Sequence, residues 1–272
     1  MPDLKADKEL LLDAVRKAGE IAHARVGTEL DIRDKGELGP VTDVDIEVDQ
    51  VLRRELTGAR PDYGWLSEET EDDEARLKAG RVFILDPIDG TRAFIAGDPG
   101  WAVSLAIVDH GKPIAAAINL PARGEIYSAV IGEGAFRNGE RIRVSGRAAV
   151  EGATVLTASK QMKPENWPGG LPPLDRHFRS SLAWRMCLVA CGRFDAMLTF
   201  RQAWEWDIAA GALIAAEAGA RVTDGKGAAL HFNSREAKQP GIVVAPGALH
   251  AGIMSYRLPS GLLNSPAAEG VR

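Results

Sequence analysis

Between Asp7 and Gly27 the apolar residues Leu10, Leu11, Ala14, Val15, Ala18, Ile21 and Ala22 recur at three- and four-residue spacings. That period predicts an amphipathic helix ended near Gly27. The stretch from Asp31 to Pro40 is polar and broken by Gly36, Gly39 and Pro40. A second helical pattern then begins at Thr42 and runs to about Thr57, with Thr42 or Asp43 as its cap. From Arg81 the period changes. Residues 82–86 form a short apolar run with β-branched members, and Pro87 and Gly90 mark a sharp turn after it. A buried strand therefore delivers a carboxylate at its end. Residues 101–145 alternate strand-like runs with Gly, Pro and Asn-Gly turns, which predicts an antiparallel meander.

Beyond the meander come a strand-like run at 153–159, a Pro- and Gly-rich loop at 163–173, an apolar helix at 181–192 and a strand at 194–200. A further helix starts at Trp206, stops at Gly219 and leads into another strand. Helices alternating with strands make the second half α/β. No internal repeat and no low-complexity tract interrupts the chain.

Length and charge narrow the classes of partner. At 272 residues the chain can bury a sizeable core without help. A net charge of -5 leaves no basic footprint for a nucleic-acid polymer or an anionic membrane, while small anions remain available to any local cluster of positive charge. No apolar run reaches the roughly 18 residues a membrane span needs, and the first twenty residues carry acids throughout and no apolar signal region. A cytoplasmic location is the expectation. Cys187 and Cys191 lie four apart in a helical apolar stretch and are expected as reduced core thiols. His110, His177, His231 and His250 show no metal-ligand spacing.

The acids carry the chemistry. Asp86 closes the strand and a Pro-containing turn holds Asp89 three residues later, so both can point into one site without a flexible arm. Hard divalent cations take such oxygen ligands, magnesium among them. Glu68 and Glu69 follow an apolar pair, Asp207 opens a helix rich in small residues, and Thr42, Asp43 and Asp45 stand before another helix. Taken singly, each acid also reads as a helix cap or a solvated turn. The set is what points to a metal site.

In chain order, VTDVD at 41–45, LSEE at 66–69, DPIDGT at 86–91 and WDIAAG at 206–211 resemble the inositol monophosphatase superfamily, and the likeness extends over most of the chain. The resemblance implies an α/β (α+β) fold, a layered α/β/α/β/α sandwich. Residues 1–148 would form an α+β half with an antiparallel sheet and most metal ligands, and residues 149–272 a smaller α/β half contributing Asp207 and substrate contacts. It implies two or three magnesium ions held by Glu68, Asp86, Asp89, Asp207 and the Ile88 carbonyl, with Asp86 bridging two of them. Thr91 and Asp45, with Glu68, would orient the attacking water, so Asp45, Glu68 and Thr91 are the catalytic candidates. Glu69 and Asp43 are assigned to the surrounding shell or to solvent.

Backbone amides at Gly90 and Thr91 suit phosphate oxygens, alongside Asp89 and Asp207. Within the superfamily, LSEE, the EDDEARL run and EWDIAA look closer to 3′(2′),5′-bisphosphate nucleotidases. Adenosine 3′,5′-bisphosphate is therefore the leading substrate, with Lys160, Ser181, Arg185 and Arg201 as its further contacts. Inositol 1-phosphate is the runner-up, ahead of histidinol phosphate and fructose 1,6-bisphosphate. Ser180 and Ser181, after Arg179, stand where relatives commonly have a small Gly-containing turn. Asp34 and Lys35 fall near a loop that closes over the metals in the family. Lithium inhibition follows by the same resemblance, and a homodimer is left open because relatives are often dimers. A non-catalytic regulatory protein on this scaffold would be expected to lack a member of the site, whereas Glu68, Asp86, Asp89, Thr91 and Asp207 are all present.

Overall fold

The structure is a computed structural model and describes residues 4–36 and 39–258. Helix α1 (Leu4–Ala24) buries Leu11, Ala14, Val15, Ala18 and Ala22, the face drawn by the apolar spacing. The polar connector after it folds into a short antiparallel hairpin of β1 (Ile32–Asp34) and β2 (Pro40–Thr42). Helix α2 (Asp43–Ala59) begins with a reciprocal cap. The Thr42 hydroxyl accepts from the Asp45 amide at 3.3 Å, and the Asp45 carboxylate accepts from the Thr42 amide at 2.9 Å. Asp43 pairs with Arg25 at 2.8 Å, so Thr42 is the cap.

A seven-stranded sheet follows, built in order from β3 (Gly64–Ser67), β4 (Arg81–Asp89), then after the short helix α3 (Thr91–Ile95), β5 (Ala102–Asp109), β6 (Lys112–Leu120), β7 (Glu125–Val130), β8 (Gly134–Arg137) and β9 (Glu140–Ile142). Its pairs are antiparallel except β3 with β4, which run parallel. The turn expected at Pro87 is instead a bulge inside β4. Asp86 pairs with Ser104 and Asp89 with Ala102, three residues of one strand against two of the other. Proline has no amide to give the ladder, so the irregular step is where it fits. The chain turns only at Gly90, whose φ of 101° is left-handed.

The second sheet comprises β10 (Thr154–Leu156) and β11 (Asp175–His177), then, after α4 (Leu182–Ala190), β12 (Ala196–Thr199). The short strand β13 (Ala203–Trp204) and helix α5 (Glu205–Glu217) lead to β14 (Ala220–Thr223), β15 (Lys238–Gln239), β16 (Ile242–Pro246) and α6 (Gly247–Arg257). The five strands are ordered β11-β10-β12-β16-β14, while β13 and β15 pair separately.

Period-two alternation explains the layers. On the first sheet Phe83, Leu85, Val103, Leu105 and Ile107 face α1 and α2, whereas Val82, Ile84, Ala102, Ala106 and Ile118 join α4, α5 and the second sheet's Met197, Ile242 and Val244. The other face of that second sheet, with Val155, Leu198 and Val243, packs on Leu249, Ile253 and Met254 of α6. The result is an α/β/α/β/α sandwich. Helix α5 sits in the middle layer and is apolar on nearly every side, as a helix between two sheets must be. It meets α4 closely, since a methyl on Gly211 would collide with Met186. Cys187 is buried and Cys191 half-buried, and both are free thiols.

One buried charge ties the first helix to the sheet. Asp7, fully buried, accepts from Arg60 at 2.9 Å, Arg81 at 3.1 Å and Tyr63 at 3.1 Å. Asp7→Ala leaves Arg60 without its anion, while Arg81 keeps Asp109 at 2.9 Å, and is expected to cost roughly 3 kcal/mol in urea unfolding. A loss under about 0.5 kcal/mol would show the cluster to be dispensable.

Candidate active site

Three elements aim acids at one point. The bulged end of β4 supplies Asp86, Ile88 and Asp89, all buried. Its parallel neighbour β3 ends just before Glu68, whose amide reaches the Leu85 carbonyl at 3.4 Å and so brings that acid alongside Asp86. The first turn of α5 brings Asp207 from the opposite layer. One carboxylate oxygen from each of Asp86, Asp89 and Asp207 lies within 4.8 Å of the others.

Such a group cannot stay fully ionised by itself. Burial, followed by the charges of Glu68, Asp89 and Asp207, raises Asp86 well above the usual carboxylate range. Burial and the charges of Asp89 and Glu68 do the same to Asp207. Burial also raises Asp89, against the opposing hydrogen bonds of Ser181 and Ala183. Glu68 is pushed up to about 7, chiefly by burial, although Lys35 pulls the other way. An oxygen-only donor set that holds protons this tightly suits a hard divalent cation, which would replace them.

This makes stability depend on pH and metal together. In the metal-free protein the protonated form of Glu68 contributes its stability in full below about pH 4.5, and that contribution is lost as pH rises through about 7. Asp86 and Asp207 act in the same direction. The Tm gain on adding magnesium is therefore expected to be larger at about pH 8 than at about pH 5.5. Equal gains in differential scanning calorimetry would contradict a cation site made of these acids.

Beside the acids, the Thr91 hydroxyl lies 3.1 Å from the Ile88 carbonyl and 3.3 Å from Asp45 Oδ1. The other Asp45 oxygen accepts from the Thr42 amide at 2.9 Å and the Thr42 hydroxyl at 2.5 Å, so the helix cap also fixes the carboxylate that faces Thr91. At Gly90 a side chain would meet the Gly100 carbonyl at 3.1 Å, as well as straining the left-handed backbone. The cleft has a volume of about 410 Å³ and is lined by Glu68, Asp86, Ile88, Asp89, Gly90, Thr91 and Asp207, with Arg92, Arg201, Phe178, Trp204 and Trp206 around them.

Of the further substrate candidates, only Arg201 lines this cleft. Ser181 is fully buried; its hydroxyl donates to Asp89 at 2.6 Å and accepts from the Trp184 amide at 2.9 Å, which leaves it behind the site as the cap of α4. Arg185 is buried one turn later, donates to the Arg179 carbonyl at 2.7 Å and lies over the Phe178 ring. Lys160 is exposed on a short turn at 159–162, away from the cleft lining. Asp34 is spent on the Gly36 amide at 2.9 Å.

Lys35 has a larger part than its polar loop suggested. Its ammonium lies 3.1 Å from Glu68 and 2.7 Å from Glu69. Burial disfavours that charge, yet the two glutamates together raise its pKa.

A family model described as the inositol monophosphatase family matches residues 3–260. The chain belongs to the inositol monophosphatase family. With that family it is a phosphoric monoester hydrolase. An inositol-1-monophosphatase of Rhizobium meliloti is 35% identical over 229 residues, covering 80% of this chain and 85% of that one. A histidinol-phosphatase of Chlorobaculum parvum is 34% identical over 229 residues, covering 81% and 86%. The crystal structure of the extragenic suppressor protein suhB from Bartonella henselae superposes with a TM-score of 0.81 at 28% identity, covering 94% of this chain and 99% of that one. Within the inositol monophosphatase family the first two of these relatives carry different substrate names, so membership fixes the type of bond cleaved rather than the metabolite.

Proposed function

We propose that the chain is a magnesium-dependent phosphomonoesterase that hydrolyses a small anionic metabolite by direct attack of water. The observation that carries this reading is the convergence of Asp86, Asp89 and Asp207 within 4.8 Å in a cleft that also holds Glu68 and Thr91. Glu68, Asp86, Asp89, Asp207 and the Ile88 carbonyl would hold two or three ions. Bound magnesium supplies charge neutralisation for the phosphate and a lowered pKa for water.

The chain's own groups do the positioning. The Thr91 hydroxyl donates a hydrogen bond to Asp45, which leaves its lone pairs free to accept a hydrogen bond from water, and Glu68 accepts the water's other hydrogen. Thr91 is already engaged by Asp45 and Ile88, and among the described residues no other hydroxyl or thiol lines the cleft except Ser180, whose hydroxyl is spent on the Gly100 carbonyl. Water therefore serves as nucleophile in place of a phospho-enzyme. Arg201, which lines the cleft, offers a guanidinium fork for phosphate oxygens. Asp89 and Asp207, with Gly90 and Thr91, border the space the phosphate would occupy.

Adenosine 3′,5′-bisphosphate is the substrate we favour, on the sequence likeness of LSEE and EWDIAA to bisphosphate nucleotidases. Inositol 1-phosphate is the second reading, favoured by the Rhizobium meliloti relative. The reading includes lithium inhibition and a cytoplasmic setting, and leaves a homodimer open. Among the described residues no helix is long and apolar enough to cross a membrane. The test is phosphate release with magnesium from adenosine 3′,5′-bisphosphate, inositol 1-phosphate, fructose 1,6-bisphosphate and histidinol phosphate, compared by kcat/KM. Preference for the nucleotide is the expected result. Preference for inositol 1-phosphate would keep the mechanism and replace the substrate; no release from any would favour a regulatory protein on the same scaffold.

A further inference from the structure

Next to the catalytic cleft lies a second cavity of about 550 Å³, lined by Arg92, Arg123, Arg179, Asp98, Phe178 and Trp184 among others. Arg92, Ala93, Phe178 and Ser180 line both spaces, so the two adjoin across the segment 178–180. Three guanidiniums around one cavity are unusual for a chain of net charge -5. Among the described residues, no carboxylate forms an ion pair with Arg92, Arg123 or Arg179. The one acid in the lining, Asp98, accepts from the Gly100 amide at 2.7 Å.

Two of the arginines are also held in place. Arg123 and Arg179 lie 4.6 Å and 5.5 Å from the centroid of the Trp184 ring. The dividing segment is fixed from two sides, because Arg185 donates to the Arg179 carbonyl at 2.7 Å and the Ser180 hydroxyl donates to the Gly100 carbonyl at 2.5 Å. Planar guanidinium forks fixed on an aromatic ring, without internal anions, match the oxygens of a phosphate. One wall of the cavity is the buried Trp184 ring, with the half-exposed Phe178 beside it.

We infer that this cavity is the subsite for a second anionic group on the same substrate. A bisphosphorylated small molecule would lie across the segment 178–180, with one phosphate at the acids and the other among Arg92, Arg123 and Arg179. This rests on the phosphatase reading of the cleft and narrows its substrate to doubly anionic esters. Arg92 borders the catalytic space, so the variants that test the idea are Arg123→Gln and Arg179→Gln, which line the second cavity alone.

Steady-state kinetics on each variant would compare adenosine 3′,5′-bisphosphate and fructose 1,6-bisphosphate with inositol 1-phosphate. The preferred bisphosphate is expected to lose on the order of 10- to 100-fold in kcat/KM, mostly through KM, with inositol 1-phosphate changed less than about twofold. Equal losses on both kinds of substrate, or no loss on either, would overturn the subsite. So would a variant that shifts the sedimentation of the protein without changing selectivity, since the cavity would then belong to a contact between copies. Should the wild type release no phosphate from any ester, the phosphatase reading fails separately. Calorimetric binding of adenosine 3′,5′-bisphosphate then decides the subsite: weakening in Arg123→Gln supports it and unchanged affinity rejects it.

Discussion

Asp89→Asn is expected to lower kcat/KM by about a thousandfold while leaving the fold intact and raising the Tm of the metal-free protein by a few degrees. Asp89 Oδ2 accepts from the Ser181 hydroxyl and the Ala183 amide, both at 2.6 Å. The amide oxygen of asparagine keeps both bonds. Its NH₂ takes the place of the second oxygen and presents hydrogens where a cation needs a lone pair. Removing one charge from a buried group in which Asp86 and Asp207 already repel it relieves the metal-free state. Rate and melting temperature should thus move in opposite senses. A variant that turned over at the wild-type rate would reject a metal centre built from these acids.

Thr91→Val should cost about 100-fold in kcat while shifting the magnesium concentration for half activity by less than about twofold. Valine preserves the shape and deletes the hydroxyl that joins Asp45 to the Ile88 carbonyl. Asp45 stays oriented by Thr42, so the loss is local to the water position. Thr91→Ser restores the hydroxyl and should recover most of the rate. A parallel loss of magnesium affinity would instead mean that Thr91 organises the Ile88 carbonyl for the metal.

The parts of this site that the sequence makes legible are those joined by short, stiff covalent paths. Asp86 and Asp89 are three residues apart across a proline, and Thr42 and Asp45 occupy the first turn of one helix, so local geometry alone brings each pair together. Helix α1 is legible for the same reason, since one face of a 3.6-residue period is local. Strand β3 has only four residues and strand β16 only five, too few for a period to distinguish strand from helix. Together with α6, they emerge only from the fold.

Long-range placement accounts for the other differences. Ser181 lies against Asp89 in space and Arg185 one turn further on, yet the Ser181 hydroxyl is spent on Asp89 and the Trp184 amide and the Arg185 guanidinium on the Arg179 carbonyl, so neither lines the cleft. Arg92, Arg123 and Arg179 come from three separated segments, and single charges so placed carry no periodic signal. Arg92 follows DPIDGT directly, but the motif alone assigns it no role. Lys35 reaches Glu68 across 33 positions of sequence, a pairing set by the hairpin before α2.

Metal dependence is tested most directly by stripping the protein with a chelator and measuring phosphate release from adenosine 3′,5′-bisphosphate and inositol 1-phosphate as magnesium is added back, with Asp89→Asn alongside. The predicted result is no release without metal, saturable recovery in the wild type on at least one of the two esters, and no recovery in the variant. Release that persists in chelator, or that Asp89→Asn leaves unchanged, would contradict it.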